Sequence, residues 1–216
     1  MEIENLSHRL NVSPTKLKIF RVFAFITLVI HYSLTFIANG WGALSISAVF
    51  LTLWGLIIST IVFGLLVFKP VGLVPSYQHS KIFHTALILE FIITVVFWGI
   101  LFRYVPRREG LKLYMEITYH VVPLALLLIE FVFGSIVLVK ESIVPVILLL
   151  GVFGLWNSFL ALVCDIIVYK PFTWLNALSY VGFVAITGMT VGLWKLTLHV
   201  QKFKFARGGD IEPMIC

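Results

Sequence analysis

Residues 44–68 read LSISAVFLTLWGLIISTIVFGLLVF, a run of 25 residues without a charged side chain. A helix of about 20 apolar residues is long enough to cross the hydrocarbon core of a bilayer. The run is preceded by the turn-forming segment Asn39-Gly40-Trp41-Gly42 and followed by Lys69-Pro70. This stretch therefore predicts a transmembrane helix with a defined end on each side.

Five further apolar runs of similar length lie at 18–37, 84–105, 115–139, 143–169 and 174–196. The 216-residue chain is 60% hydrophobic and only 12% charged, whereas an ordinary globular protein is roughly half apolar and a quarter charged. This composition excludes a water-soluble enzyme. We predict an all-α polytopic membrane protein, a six-transmembrane-helix bundle over 18–197, with a cytosolic segment at 1–17 and a cytosolic tail at 198–216.

The net charge of +6 bears on the membrane topology of the chain. With six spans both termini share one side of the membrane, and 11 of the 16 Lys and Arg residues fall on that side. Because basic residues near span ends concentrate in the cytosol, both termini are predicted to be cytosolic. The expected location is the endoplasmic reticulum or the cell membrane, the expected partners are lipids rather than nucleic acid, and the oligomeric state stays open.

The sequence contains no motif that is typical of metal or cofactor binding. The two cysteines, Cys164 and Cys216, match neither a zinc spacing nor a disulfide framework. His31, His120 and Asp165 share a predicted depth but no His-x-x-x-His spacing that would bind a metal. We therefore expect no metal and no cofactor.

Ionisable residues inside a bilayer are costly and are often functional. The candidates inside the membrane are His31, Glu90, His120, Glu130 and Asp165. A rise of about 1.5 Å per residue places both glutamates in the cytosolic third. The same arithmetic places His31 and Asp165 in the exoplasmic third. Because two isolated charges would be expensive there, Glu90 and Glu130 are expected to share a hydrogen-bonded or protonated arrangement.

Thr52 and His120 are predicted to lie at one level of the membrane. They are about 12 Å and 8 Å from the exoplasmic ends of the second and fourth spans, which run in the same direction. Thr52 also belongs to a helical stripe of small residues, Ser45, Ala48, Thr52, Gly55 and Ser59. Such a stripe is more often a sign of close helix packing, and a lone buried histidine is more often structural. Pro123 is predicted to free a backbone carbonyl near residue 119 and to distort the chain beside His120.

Four segments, taken in order, resemble the androgen-induced protein family of multi-span membrane hydrolases. They are Phe50-Leu51-Thr52-Leu53, Val96-Phe97-Trp98, His120 followed ten residues later by Leu128-Ile129-Glu130, and a Trp156 span ending in Tyr169-Lys170-Pro171-Phe172. The resemblance covers residues 18–197. It implies hydrolysis of fatty acid esters of hydroxy fatty acids by a threonine nucleophile and a histidine within the membrane, which by position are Thr52 and His120.

The sequence thus predicts a lipid ester hydrolase whose substrate enters from the bilayer. A threonine hydroxyl needs a base to take its proton, which is the role predicted for His120, with Asp165 or His31 orienting its ring. The alternative is a non-catalytic multi-pass protein, either a small transporter or an accessory subunit. In that case Glu90, Glu130 and Asp165 would bind a proton or hold partner helices.

Overall fold

The computed structural model describes residues 12–68, 76–104, 109–134 and 136–206. The described part of the chain is all-α, with a single isolated bridge between Tyr169 and Phe172 in place of any strand. Its α-helices are α1 (Pro14–Asn39), α2 (Gly42–Val49), α3 (Leu51–Phe68), α4 (Ser76–Gly99), α5 (Gly110–Tyr119), α6 (Val122–Phe133), α7 (Ile143–Val163) and α8 (Ala177–Ala206).

Six helical segments within the described ranges are long and apolar enough to cross a membrane. They are Pro14–Asn39, Leu51–Phe68, Tyr77–Gly99, Gly110–Phe133, Lys140–Val163 and Ala177–Lys204. The predicted six-helix membrane bundle is confirmed.

Helix α4 forms the centre of the bundle. Five consecutive residues, Ala86 through Glu90, are fully buried, which requires neighbours on every side of the helix. Those neighbours are α3, α6, α7 and α8, while α1 packs outside α3. Because α4 is surrounded by protein, its polar side chains must find partners inside the bundle rather than in water.

Two of the predicted spans are interrupted. The second is divided at Phe50 into α2 and α3, and the fourth is divided at His120 and Val121 into α5 and α6. Pro123 is the second residue of α6 and has no amide hydrogen to donate to the Tyr119 carbonyl. The predicted distortion beside His120 is therefore present, because α5 ends one residue before the histidine.

The predicted boundary of the fifth span was wrong. The apolar run was expected to continue as a helix to residue 169, but α7 ends at Val163 and Asp165 adopts a positive φ of 57°. Residues 164–176 instead form a loop, and Tyr169, Phe172 and Trp174 from this loop contribute to the cavity described below. Hydrophobicity alone did not show that the helix ends at Val163, because an aromatic loop packed on a bundle is as hydrophobic as a helix.

Candidate active site

The structure brings Thr52 and His120 together. The Thr52 Oγ1 lies 3.0 Å from the His120 Nε2, although the two residues are 68 positions apart in the chain. Thr52 is in the first turn of α3, and His120 follows the last residue of α5. The two breaks in the predicted spans therefore meet at this hydrogen bond.

The direction of this hydrogen bond follows from the other ring nitrogen. His120 Nδ1 lies 2.5 Å from the Glu116 carbonyl oxygen, which can only accept, so Nδ1 carries the hydrogen. A neutral imidazole has one N–H group, and its other nitrogen is an acceptor. The lone pair of Nε2 is therefore directed at Thr52, whose hydroxyl donates to it.

Two residues of α4 hold His120 in place. The Phe97 ring stacks on the imidazole with a centroid separation of 3.4 Å and an interplanar angle of 10°. The Thr94 hydroxyl donates to the His120 carbonyl at 2.7 Å. These contacts fix the ring plane and the backbone at the α5–α6 break, so that the imidazole has little freedom to turn away from Thr52.

Side chains replace the helical hydrogen bonds that are missing between α2 and α3. The Ala48 carbonyl accepts from the Trp156 indole at 3.0 Å, and the Leu51 amide donates to the Tyr169 hydroxyl at 3.1 Å. Without these partners, exposed backbone groups at membrane depth would carry a cost of several kcal/mol. Trp156 and Tyr169 thus stabilise the break that places Thr52 at the start of a helix.

Thr52 and His120 lie in the wall of a partly open cavity between α3, α4, α7 and α8. Most of the lining side chains are aliphatic or aromatic, among them Ile92, Val96, Phe97, Leu150 and Phe183. Asn157 and Tyr169 add an amide and a hydroxyl. The cavity therefore suits a largely apolar molecule with a polar group beside Thr52.

The prediction that Asp165 or His31 orients His120 was wrong. Both ring nitrogens of His120 have other partners, Thr52 and the Glu116 carbonyl. Asp165 is exposed in the loop after α7. His31 Nδ1 instead bonds to the Thr27 carbonyl of its own helix at 2.7 Å. The Glu116 carbonyl, four residues before His120, accepts the Nδ1 hydrogen and so orients the ring, which is the role that was predicted for Asp165. It can do so because α5 presents this carbonyl directly beneath the ring.

The expected pairing of Glu90 with Glu130 was also wrong. Glu130 accepts from Arg21 at 2.6 and 3.0 Å in a two-pronged contact between α6 and α1. Glu90 accepts from Ser59 of α3 at 3.1 Å. Neither carboxylate lines the cavity. Helix packing gives each glutamate its own partner, so the shared depth does not bring them into contact.

The sequence did not identify three polar residues of the site as functional. They are Thr94, Asn157 and Tyr169. Tyr169 stood in a motif that carried the family resemblance, yet its hydroxyl received no role. Thr94 precedes Phe97 by three positions on α4, and this helical spacing could have shown that both reach the same neighbour. Asn157 was identifiable as an amide in an otherwise apolar span.

Fold and site together define a multi-pass membrane protein with a threonine–histidine pair in the wall of an apolar cavity. No metal-ligand cluster of three or more His, Cys, Asp or Glu occurs among the residues that the structure describes. Comparison of the chain with protein-family models, curated proteins and solved structures finds no match. The function is therefore argued from the site itself.

Proposed function

We propose that this protein is an intramembrane hydrolase of lipid esters in which Thr52 is the nucleophile and His120 is the general base. The observation that carries the proposal is the 3.0 Å contact from the Thr52 hydroxyl to the unprotonated Nε2 of His120. A threonine hydroxyl becomes nucleophilic when a base accepts its proton in this way. Phe97 and Thr94 supply the fixed geometry that such a transfer requires.

The reaction proceeds through an acyl-threonine intermediate. Thr52 Oγ1 attacks the ester carbonyl carbon while its proton passes to His120 Nε2. Collapse of the tetrahedral intermediate expels the alkoxide, which takes that proton and leaves as an alcohol. Water then attacks the acyl group, His120 again accepts and returns a proton, and the fatty acid leaves from a regenerated Thr52.

The proposed substrate class is supported by the cavity and by the family resemblance. An apolar cavity within the membrane accepts a fatty acyl chain from the lipid leaflet, without the chain crossing water. The segments that resemble the androgen-induced proteins contribute Leu51, Val96, Phe97, Tyr169 and Phe172 to the cavity wall, together with the two reacting residues. This clustering supports fatty acid esters of hydroxy fatty acids as the substrates.

The transporter form of the non-catalytic alternative depends on carboxylates aligned along a path. Glu130 is held by Arg21 and Glu90 is hydrogen-bonded to Ser59, while Asp165 lies exposed on a loop. None of them contributes to the cavity wall. This separation favours the hydrolase over a transporter.

For its cellular placement, we propose a membrane of the endoplasmic reticulum or the cell surface, with both termini in the cytosol. The excess of basic residues on the terminal side supports this orientation. The cavity then lies toward the exoplasmic side, beside the loop at 164–176.

The proposed activity is tested with purified protein, a fluorogenic long-chain fatty acid ester and a fluorophosphonate probe. The wild type should hydrolyse the ester and become labelled, whereas Thr52→Ala should do neither. Thr60→Ala is the matched control, because the Thr60 hydroxyl donates to the Leu56 carbonyl of the same helix and lies outside the cavity wall. An inactive wild type, or equal activity in Thr52→Ala, would overturn the proposal.

The substrate class is tested separately by mass spectrometry. Incubation with a fatty acid ester of a hydroxy fatty acid should release one fatty acid and one hydroxy fatty acid in equal amounts. Phospholipids and triacylglycerols serve as competing esters in the same assay. Preferential cleavage of either competitor would leave the hydrolase proposal standing and reject this substrate class.

A further inference from the structure

The Tyr169 hydroxyl lies at the start of α3, beside the proposed nucleophile. Its side chain projects from the loop at 164–176, and its ring packs edge-to-face on Phe50 with a centroid separation of 5.8 Å. The hydroxyl oxygen is 3.1 Å from the amide nitrogen of Leu51, the residue immediately before Thr52. Both Tyr169 and Thr52 line the cavity.

The proton of this hydroxyl is free to be donated. The Tyr169 oxygen accepts from the Leu51 amide, and among the described residues nothing accepts the Tyr169 proton in return. Burial raises the pKa of Tyr169, so the phenol keeps its proton at neutral pH. Tyr169 is thus a fixed hydrogen-bond donor in the wall of an apolar cavity.

The backbone adds a second donor at the same place. The first four amides of a helix lack helical partners and point toward its N-terminus. In α3 the Leu51 amide donates to Tyr169, and the Leu53 and Trp54 amides donate to the Phe50 carbonyl. The Thr52 amide belongs to the same first turn of α3, where amides have no partner within their own helix.

We propose that the Tyr169 hydroxyl, with the Thr52 amide, forms the oxyanion hole of the hydrolase. This inference rests on the proposed function of Thr52 and His120. When Thr52 Oγ1 bonds to the ester carbon, the electron pair of the C=O double bond moves to the carbonyl oxygen. That oxygen accepts the Tyr169 O–H and Thr52 N–H, and the pair returns to reform the carbonyl when the alkoxide leaves. Donors aimed at developing charge in a dry site act most strongly in the transition state.

The first test is Tyr169→Phe, which keeps the ring and removes the hydroxyl. Loss of one oxyanion donor should lower kcat about 100-fold and leave KM within about threefold. Tyr180→Phe is the matched control, because the Tyr180 hydroxyl donates to the Trp174 carbonyl of the same loop and lies outside the cavity wall. Tyr180→Phe should retain wild-type kcat.

The second test separates donation to substrate from simple support of α3. Fluorotyrosine incorporated at position 169 is a stronger hydrogen-bond donor and a weaker acceptor than tyrosine. If Tyr169 donates to the oxyanion, kcat should rise with fluorination. If Tyr169 only accepts from Leu51, kcat should fall or stay unchanged, which would overturn the inference.

Failure of this inference is distinguishable from failure of the proposed function. Full activity in Tyr169→Phe, with loss of activity in Thr52→Ala, would reject the oxyanion role and leave the nucleophile in place. An inactive wild type would reject both.

Discussion

Gly55 of α3 lies directly against Glu90 of α4. A Cβ atom at position 55 would be 2.6 Å from Glu90 Oε1 and 2.5 Å from Ile93 Cδ1. A larger residue at position 55 would displace the ends of these two buried side chains, one of which accepts a hydrogen bond from Ser59.

Gly55→Ala should therefore destabilise the protein by about 1–3 kcal/mol, the usual cost of overpacking a core. Thermal unfolding in detergent measures the effect. Gly151→Ala in α7 is the control, because a Cβ there meets no atom within 4 Å. Its stability should be unchanged or slightly higher, since alanine favours helix. Equal stability of the two variants would contradict the close α3–α4 contact.

Glu130→Gln should lower stability by about 3 kcal/mol, because it leaves the largely buried Arg21 guanidinium without its counter-charge. Hydrolysis per folded molecule should persist, since neither residue lines the cavity. In a double-mutant cycle, Arg21→Gln combined with Glu130→Gln should cost less than the sum of the single changes. Loss of all activity in a folded Glu130→Gln protein would mean that Glu130 takes part in the chemistry.

Thr94→Val should lower kcat about tenfold with little change in KM, because the His120 backbone loses its 2.7 Å hydrogen bond and the ring shifts from Thr52. Steady-state kinetics with the fluorogenic ester measure both constants. Thr85→Val on the same helix is the comparison, since the Thr85 hydroxyl donates only to the Lys81 carbonyl of its own helix. A Thr94→Val enzyme as fast as Thr85→Val would show that this contact does not position His120.

Thr52→Ala and His120→Ala should each abolish ester hydrolysis, and the double variant should be no slower than either single one. Residues that act as one unit are strongly non-additive, because loss of either stops the shared proton transfer. Thr52→Ser should retain part of the rate, since it keeps the hydroxyl. Additive losses in single-turnover kinetics would argue that the two residues act independently.

Cys164 and Cys216 provide a test of topology. Cys164 is exposed after α7 and should face the lumen, whereas the proposed orientation places Cys216 in the cytosol. In sealed microsomes, a membrane-impermeant maleimide should label wild type and Cys164→Ser but not Cys216→Ser. Labelling that is lost in Cys164→Ser and kept in Cys216→Ser would reverse the orientation.

Much of the membrane fold was predictable because the apolar length of a span is a local property. Lengths and flanking charges identified all six spans, and Pro123 correctly predicted the distortion beside His120. The common depth of Thr52 and His120 also followed from counting residues along two helices. The end of α7 was missed, because the loop that follows it is equally apolar.

The position of a residue along its span does not show how the helix is rotated about its axis or which helices it packs against. Glu90 and Glu130 share a depth, but packing directs one toward Ser59 and the other toward Arg21. Likewise, His31 and Asp165 were predicted to share a depth with His120, but the Glu116 carbonyl is the partner of its second ring nitrogen.

The sequence by itself determined that this chain forms six apolar helices with a threonine and a histidine at one level. This holds because bilayer thickness and helical rise act on each segment separately. Only the tertiary structure decided that Nε2 of His120 is the acceptor for Thr52 and that the Tyr169 hydroxyl caps Leu51. Hydrogen bonds need atoms within about 3 Å and correct angles, and that precision arises only when distant segments have packed.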